Sequence, residues 1–244
     1  MAGRSIGLCF CPPMVGNSPC LSQLKASSSC NSPPQTSTLS PPLIKTLSDI
    51  HSSGIIACLR APSAEIAVGA ARAALRGGIK VVLQQLVLEY PTMTLGVGTV
   101  LNAEDAKVAM KVGAKFIMSP AMIKDVLADV HDHEVLYIPG VMTPTEILSA
   151  YNAGARIVKV YPVSALGGVE YISAVKKPFH HIPMVASQGI KMDLVEEYIT
   201  RGASAVVLSD AIFCKEAIAR GDFDTISEQA QLAASIGIEA KKQL

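Results

Sequence analysis

Short apolar runs recur along this chain, each separated from the next by a stretch with helical patterning. β-branched and apolar residues cluster at Gly54–Leu59, Ile79–Leu83, Thr94–Thr99, Lys115–Ser119, Leu136–Val141, Arg156–Tyr161, Pro183–Ser187 and Ala203–Leu208. Runs of this length with little alternation mark strands covered on both faces. The segments between them carry helix punctuation. Ser63-Ala64-Glu65 opens one that Gly77-Gly78 ends, and Asn102-Ala103-Glu104-Asp105 opens another that Gly113 ends. Thr143-Pro144-Thr145-Glu146 opens a third, ended by Gly154, and Met192 to Gly202 forms a further one. A glycine closing each helix shortly before a strand is the chemistry of short αβ loops. Eight strands alternating with helices predict an α/β protein with a parallel sheet, and eight strands close a (β/α)8 TIM barrel. An open doubly wound sheet is the competing architecture. It would carry a glycine-rich fingerprint after the first strand, where Cys58-Leu59-Arg60-Ala61-Pro62 stands instead.

One unit of the rhythm is short. Between Leu83 and Thr94 only Gln84-Gln85-Leu86-Val87-Leu88-Glu89-Tyr90-Pro91-Thr92-Met93 is available. A crossover between parallel strands takes about 10–12 residues at the least, helix included. The second β/α unit therefore reads as clipped.

Ahead of the rhythm lies a different kind of sequence. No Asp or Glu occurs before Asp49, and Arg4, Lys25 and Lys45 are the only charges there. Ser, Thr, Pro and Asn dominate, as in Ser27-Ser28-Ser29 and Pro33-Pro34-Gln35-Thr36-Ser37-Thr38. Acid-poor, Ser-rich leaders are organelle transit peptides, and few arginines among many Ser and Pro favour a plastid over a mitochondrion. The expectation is a disordered, plastid-directing leader over residues 1–45, removed on import to the stroma, and a barrel over 46–244. Cys9, Cys11, Cys20 and Cys30 lie in that leader; Cys58 and Cys214 sit in apolar contexts and read as buried thiols.

Composition then narrows the partners. Half of the 244 residues are apolar and 17% are charged, which suits a large enclosed core. A net charge of +1 gives no electrostatic case for nucleic acid or an anionic membrane, and no apolar run approaches the ~18 residues that span a bilayer.

The candidate chemistry starts at Lys159, a charge in the middle of the run Arg156-Ile157-Val158-Lys159-Val160-Tyr161-Pro162. Alternation puts Ile157, Lys159 and Tyr161 on one face and Val158 and Val160 on the other. A buried ammonium is costly unless it is paired or deprotonated, and a lysine pushed toward neutrality is a nucleophile for ketones. A lysine that snorkels to solvent at a strand end is the bland alternative. In a parallel barrel, chemistry collects at the C-terminal strand ends. Those ends carry Arg60, Thr99, Ser119-Pro120, Pro139-Gly140, Lys159 with Tyr161, Ser187-Gln188-Gly189 and Ser209-Asp210. The set suits a small keto acid: Arg60 and Thr99 would hold its carboxylate while Lys159 attacks its ketone. Imine chemistry also needs a proton shuttle, and Asp210 is the only carboxylate on this rim. His131-Asp132-His133 and His180-His181 fall in loops at the opposite face and read as surface histidines. Gly167-Gly168 could cradle an anion at the following helix N-terminus, or be a plain loop.

Three of these runs carry a resemblance. Gly96-Val97-Gly98-Thr99-Val100-Leu101, Ile138-Pro139-Gly140-Val141 with Thr143, and Val158-Lys159-Val160-Tyr161-Pro162 followed by Gly167-Gly168 resemble the 2-keto-3-deoxy-6-phosphogluconate and 4-hydroxy-2-oxoglutarate aldolases, over about Ile50 to Gln243. The resemblance implies class I aldol cleavage in a (β/α)8 homotrimer, without metal or cofactor, and with pyruvate as one product. It makes Lys159 the Schiff-base lysine with Tyr161 the aromatic beside it. Thr99 and Arg60 become substrate contacts and Pro120 part of the fourth-strand Ser-Pro element. Ser187 and Gly189 stand where the family binds phosphate. Three departures stand out. The family's catalytic glutamate ends the second strand, and here Val81-Val82 joins directly to Leu83-Gln84-Gln85. Its phosphate-binding Thr-Gly-Gly is Ser187-Gln188-Gly189, and its Gly-Gly-Ser after the eighth strand is Ser209-Asp210-Ala211. A carboxylate beside a phosphate repels it, and a side chain at 188 takes away one close backbone approach. Weak aldolase activity is the expected result, with a catalytically silent paralogue or isoform assembling with full-length subunits as the other reading.

Overall fold

A computed structural model of the chain describes residues 7–11, 39–59, 64–76, 94–131 and 133–244. Its strands are β1 (Gly7–Cys11), β2 (Ile55–Leu59), β3 (Thr94–Gly98), β4 (Phe116–Met118), β5 (Leu136–Ile138), β6 (Gly140–Val141), β7 (Val158–Val160), β8 (Met184–Ser187) and β9 (Ala205–Leu208). Its helices are α1 (Pro41–Ser53), α2 (Ala64–Arg76), α3 (Ala103–Lys111), α4 (Lys124–His131), α5 (Pro144–Asn152), α6 (Gly168–Lys176), α7 (Val195–Thr200), α8 (Lys215–Arg220) and α9 (Phe223–Lys242). All seven predicted strands within the described residues form. The expected strand Ile79–Leu83 and the shortened segment after it lie outside them, as does Arg60.

The strands hydrogen-bond in the order β5-β4-β3-β1-β2-β9-β8-β7-β6. β5 and β6 are two halves of one stave, interrupted at Pro139, which has no N–H to give. β5 pairs with β4 and β6 with β7, so the sheet returns to its own start and closes as a barrel. Every other neighbouring pair is parallel except those made by β1, which runs antiparallel to both β2 and β3.

β1 corrects the expectation of a leader without structure. It takes the place between first and third β/α units where a second parallel strand would stand, with Cys9 opposite Cys58 on one side and Gly96 on the other. The physical reason is an unmet demand for partners. Neighbouring edges of β2 and β3 present rows of N–H and C=O groups that must be satisfied. Gly7-Leu8-Cys9-Phe10-Cys11 is a short apolar island, hidden when composition is averaged over the whole leader. The boundary at 45 also moves, because α1 already begins at Pro41. Leu43, Leu47 and Ile50 recur at helical spacing on α1 and pack under the barrel interior, against the cluster of Ile56, Phe116, Leu136, Ile157 and Val185. Asp49 of α1 accepts a hydrogen bond from Thr94 Oγ1 of β3 and pairs with Lys45 Nζ at 2.5 Å. The helix is thereby tied to the barrel's N-terminal face.

The core has two layers. Inward residues are Ile56, Cys58, Phe116, Met118, Ile157, Val185, Ala205 and Val207. Outward residues such as Ile55, Leu59, Val158, Val160, Val206 and Leu208 pack under the helices. Gly96 shows why β3 reads Gly-x-Gly: a Cβ there would lie 2.5 Å from the Phe116 ring, which fills the interior at that level.

Capping at α5 has a measurable consequence. Thr143 Oγ1 accepts from the Glu146 N–H at 3.3 Å, while the Glu146 carboxylate accepts from the N–H groups of Met142 and Thr143 at 2.7 and 2.8 Å. Those backbone donors hold the Glu146 carboxyl below the usual carboxylate range. A depressed folded-state pKa contributes stability above the unfolded value and loses it as pH falls through the folded one. Glu146→Ala should therefore lower the melting temperature at pH 7, by an amount equivalent to about 0.3–0.5 kcal/mol once solvent screening of this exposed carboxylate is counted. The deficit should shrink on acidification below about pH 4. Thermal melts of both proteins at pH 7 and pH 3.5 check this; an equal deficit at both pH values would assign the effect to something other than the carboxylate.

Candidate active site

The C-terminal ends of the strands gather the rim residues. Lys159, in β7, is only 6% exposed despite its charge. Its backbone N–H donates to Pro139 O at 2.8 Å, and in the ladders it stands opposite Gly140 and Val185. Its Nζ lies 5.0 Å from the centroid of the Tyr161 ring, within cation–π range. The alternation read from the sequence holds, since Ile157 belongs to the interior cluster and Val158 and Val160 to the outer one.

Pro120 is placed by a glycine. A Cβ on Gly140 would lie 2.1 Å from the Pro120 carbonyl oxygen and 2.2 Å from its carbon, so the turn after β4 rests directly on the backbone of β6. Only glycine allows that approach, and it sets Pro120 on the rim two staves from Lys159, across the β5–β6 stave. Thr99 follows β3 with φ +63, a left-handed conformation unusual for a branched side chain, and is half-buried. The next residue ties this turn to β4 through Val100 N–H donating to Met118 O at 3.1 Å.

Ser187 ends β8 and is buried, while Gln188 and Gly189 follow with φ +83 and +73. Sequence reasoning missed the residue that organises this turn. Ser164, in the 3₁₀ turn Val163–Leu166 after β7, donates its Oγ proton to Gln188 Oε1 at 2.7 Å. The same Oγ would lie 2.4 Å from a Cβ on Gly189. No local pattern announces Ser164, because its partner is 24 residues away in sequence. Cys58 was also missed, although alternation with Ile56 would have put it inside. Asp210 is exposed just after β9, with Ser209 Oγ 3.5 Å from its Oδ1.

A cleft of about 220 Å³ opens here, lined by Cys58, Tyr161, Ser187, Gln188, Gly189, Ile190, Val207, Ser209, Asp210 and Ala211. Tyr161, Ser187, Gly189 and Asp210 thus share one space, with Lys159 against its aromatic wall. Thr99 and Pro120 belong to other staves of the same rim. Larger clefts have other linings. One of about 440 Å³ lies on the far side of Asp210, with Phe213 and Lys215, and one of about 340 Å³ lies at the N-terminal face, with Arg156 and Glu134. Parallel barrels do their chemistry at the opposite end from the latter.

Gly167 and Gly168 serve the backbone: Gly167, at φ +111, ends the 3₁₀ turn, and Gly168 begins α6. His180 and His181 lie in the turn after α6, where His181 meets Tyr151 edge-on at 5.3 Å. Among the described residues no group of three or more His, Cys, Asp or Glu gathers as a metal site, and no helix is long and apolar enough to cross a membrane.

This rim, with a buried lysine on the sixth β/α strand, belongs to a recognisable group of proteins. The pattern of the KDPG and KHG aldolase family matches residues 48–229. The chain belongs to that family. The KDPG/KHG aldolases are carbon–carbon lyases, and the sequence relatives agree. A 2-dehydro-3-deoxy-phosphogluconate aldolase of Treponema pallidum is 33% identical over 179 residues, covering 68% of this chain and 85% of the relative. The KHG/KDPG aldolase of Escherichia coli K12 is 26% identical over 181 residues, covering 69% and 85%. The fold agrees too. The KDPG aldolase of Legionella pneumophila, solved with pyruvate captured as a covalent carbinolamine, superposes with a TM-score of 0.67 at 22% identity, covering 76% of this chain and 96% of that one.

Proposed function

We propose that this member of the KDPG/KHG aldolases is a class I, Schiff-base enzyme. It would cleave a 2-keto-3-deoxy sugar acid phosphate or 4-hydroxy-2-oxoglutarate to pyruvate and an aldehyde. The observation that carries the reading is Lys159, buried in a parallel strand and set against Tyr161 at the mouth of the cleft. In its free-base form the amine adds to the C2 ketone, giving a carbinolamine that loses water to an iminium. The iminium accepts the electron pair of the C3–C4 bond as that bond breaks. The C4 hydroxyl proton leaves to a base, an aldehyde departs, and an enamine remains. Protonation at C3 and hydrolysis release pyruvate and regenerate the amine. Thr99, Pro120 and Arg60 would hold the keto acid end. The covalent carbinolamine in the Legionella relative supports the same chemistry.

Proton transfers are the weak step. β1, standing where a second strand would carry the family's glutamate, reads Gly-Leu-Cys-Phe-Cys and offers no carboxylate. General acid–base catalysis contributes typically ~10²–10⁴-fold, so turnover should be low unless Asp210 takes the part. Inserting a family-like segment with Glu between Val82 and Leu83 should raise turnover and melting temperature together. Full turnover in the unmodified chain would assign the proton to another group, Asp210 first. A β1 without a carboxylate also favours the second reading, a silent subunit assembling with full-length aldolase chains.

Borohydride trapping with pyruvate separates the two. A stable adduct mapped to the Lys159 peptide supports the enzyme, and its absence supports the silent subunit. We further propose a homotrimer, tested by light scattering, and a plastid address. A cut before Pro41 would leave Leu43 under the barrel but would take β1 out of the sheet, so a cut that spares the whole barrel must fall before Gly7. N-terminal sequencing of protein from the native organelle tests this, and a start at Met1 or Ala2 would defeat it.

A further inference from the structure

The ladder between β1 and β2 brings two cysteines together from distant parts of the chain. We infer that Cys9 and Cys58 are a redox pair: a peroxide oxidises them to a cross-strand disulfide that fastens β1 to β2 beside the cleft, and a dithiol opens it again. Register sets Cys9 directly opposite Cys58 in an antiparallel pair. Opposed residues of such a pair stand on one face with Cα atoms about 4.5 or 5.5 Å apart, and a disulfide takes Cα separations of about 4.4–6.8 Å. Across its other ladder Cys9 stands opposite Gly96, which brings no side chain. Cys11 stands opposite Thr94 and is only diagonal to Cys58, a separation of about 7–8 Å that a disulfide does not bridge. Cys214 packs against the outer layer of the core, whereas Cys58 belongs to the interior with Ile56, Phe116 and Val185.

Cys58 is buried but lines the cleft of about 220 Å³, which gives a small oxidant a way to its sulfur. The Cys58 thiolate attacks one oxygen of hydrogen peroxide; the O–O bond breaks, a sulfenic acid forms on Cys58, and the other oxygen leaves as water. The Cys9 thiolate then attacks the Cys58 sulfur, the S–O bond breaks, and that oxygen leaves as a second water. The two thiols give up two electrons and their two protons, and the peroxide takes up both. Exchange with a dithiol returns the two thiols. The consequence is felt by the barrel. A tie from residue 9 to residue 58 closes a long loop and takes conformational freedom from the unfolded chain. Oxidation therefore locks β1 into the closed barrel, and reduction leaves that closure to the ladders alone.

The test uses the full chain, first reduced with dithiothreitol, then freed of it and treated with hydrogen peroxide. Peptide mapping without reductant should find Cys9 linked to Cys58, and fresh dithiothreitol should undo the link. The oxidised chain should melt about 5 °C or more above the reduced one. Cys11→Ser should keep both the link and the shift, while Cys58→Ser should lose both. Cys9→Ser should leave a sulfenic acid on Cys58 that dimedone captures, because the thiol that would resolve it is gone. A Cys58 left unoxidised, linked to any other cysteine, or oxidised without a link overturns the inference. So does a Cys9–Cys58 link that leaves the melting temperature unchanged. Mapping on the unsubstituted chain decides the pairing even where a serine variant fails to fold.

Discussion

Lys159→Ala abolishes pyruvate exchange and aldol cleavage, and Lys159→Arg does not restore either. The wild-type reaction is proposed to pass through a covalent bond to the lysine nitrogen, so the substitution takes away the route rather than slowing it. Deleting the nucleophile of a covalent mechanism costs on the order of 10⁴-fold or more in turnover. Arginine keeps the positive charge but stays protonated and does not form the imine, so its failure separates nucleophilicity from charge. The fold should survive the alanine change, because the ladder contacts at residue 159, to Pro139 O, Gly140 and Val185, are made by its backbone. Circular dichroism and melting temperature should stay near wild type while the borohydride adduct disappears. Retained activity would move the nucleophile to another lysine. Lys176 is the competitor by environment, since burial lowers its pKa, but its Nζ donates to Ile182 O at 2.7 Å, beside the turn that leads into the start of β8. That is the wrong end of the barrel for this chemistry.

Removing residues 1–38 destabilises the protein strongly, although that segment has the composition of a dispensable leader. The deletion takes β1 out from between β2 and β3, and with it the ladders through Leu8, Cys9 and Phe10 on one side and Gly7 to Cys11 on the other. Each lost hydrogen bond contributes on the order of 1 kcal/mol net. At roughly 2–4 °C per kcal/mol for a chain of this size, the melting temperature should fall by about ten degrees or more. The freed edges of β2 and β3 should also promote association between chains, visible in light scattering. Cys9→Pro in the full chain is the finer test: proline cannot donate to a ladder, so a smaller drop in the same direction is expected. Unchanged melting in both variants would show that β1 contributes nothing to barrel closure. If import removes the leader, the same experiment describes the mature protein's own stability.

The parallel β/α rhythm was legible because it is written in local patterns. Apolar runs, caps such as Asn102 and Thr143, and closing glycines such as Gly113 and Gly154 act over a few residues, and these elements formed as read. The burial of Lys159 was legible for a related reason: a charge in the middle of an apolar run takes the run's own place in the strand. Pro120 and Thr99 lie at strand ends that the rhythm itself locates.

What the sequence determined alone, then, is the seven parallel strands of the β/α units among the described residues and which residues stand at their C-terminal ends, consequences of local propensity and periodicity. Only the tertiary structure decided which segment closes the barrel. A vacant pair of strand edges accepts any short apolar stretch that can reach it, and Gly7–Cys11 does so from a leader whose average composition says otherwise. Only the tertiary structure, likewise, put Ser164 on Gln188, Pro120 on Gly140, and Asp210 across one cleft from Tyr161. Those contacts join residues far apart in the chain, and no local propensity encodes a distance that folding alone creates.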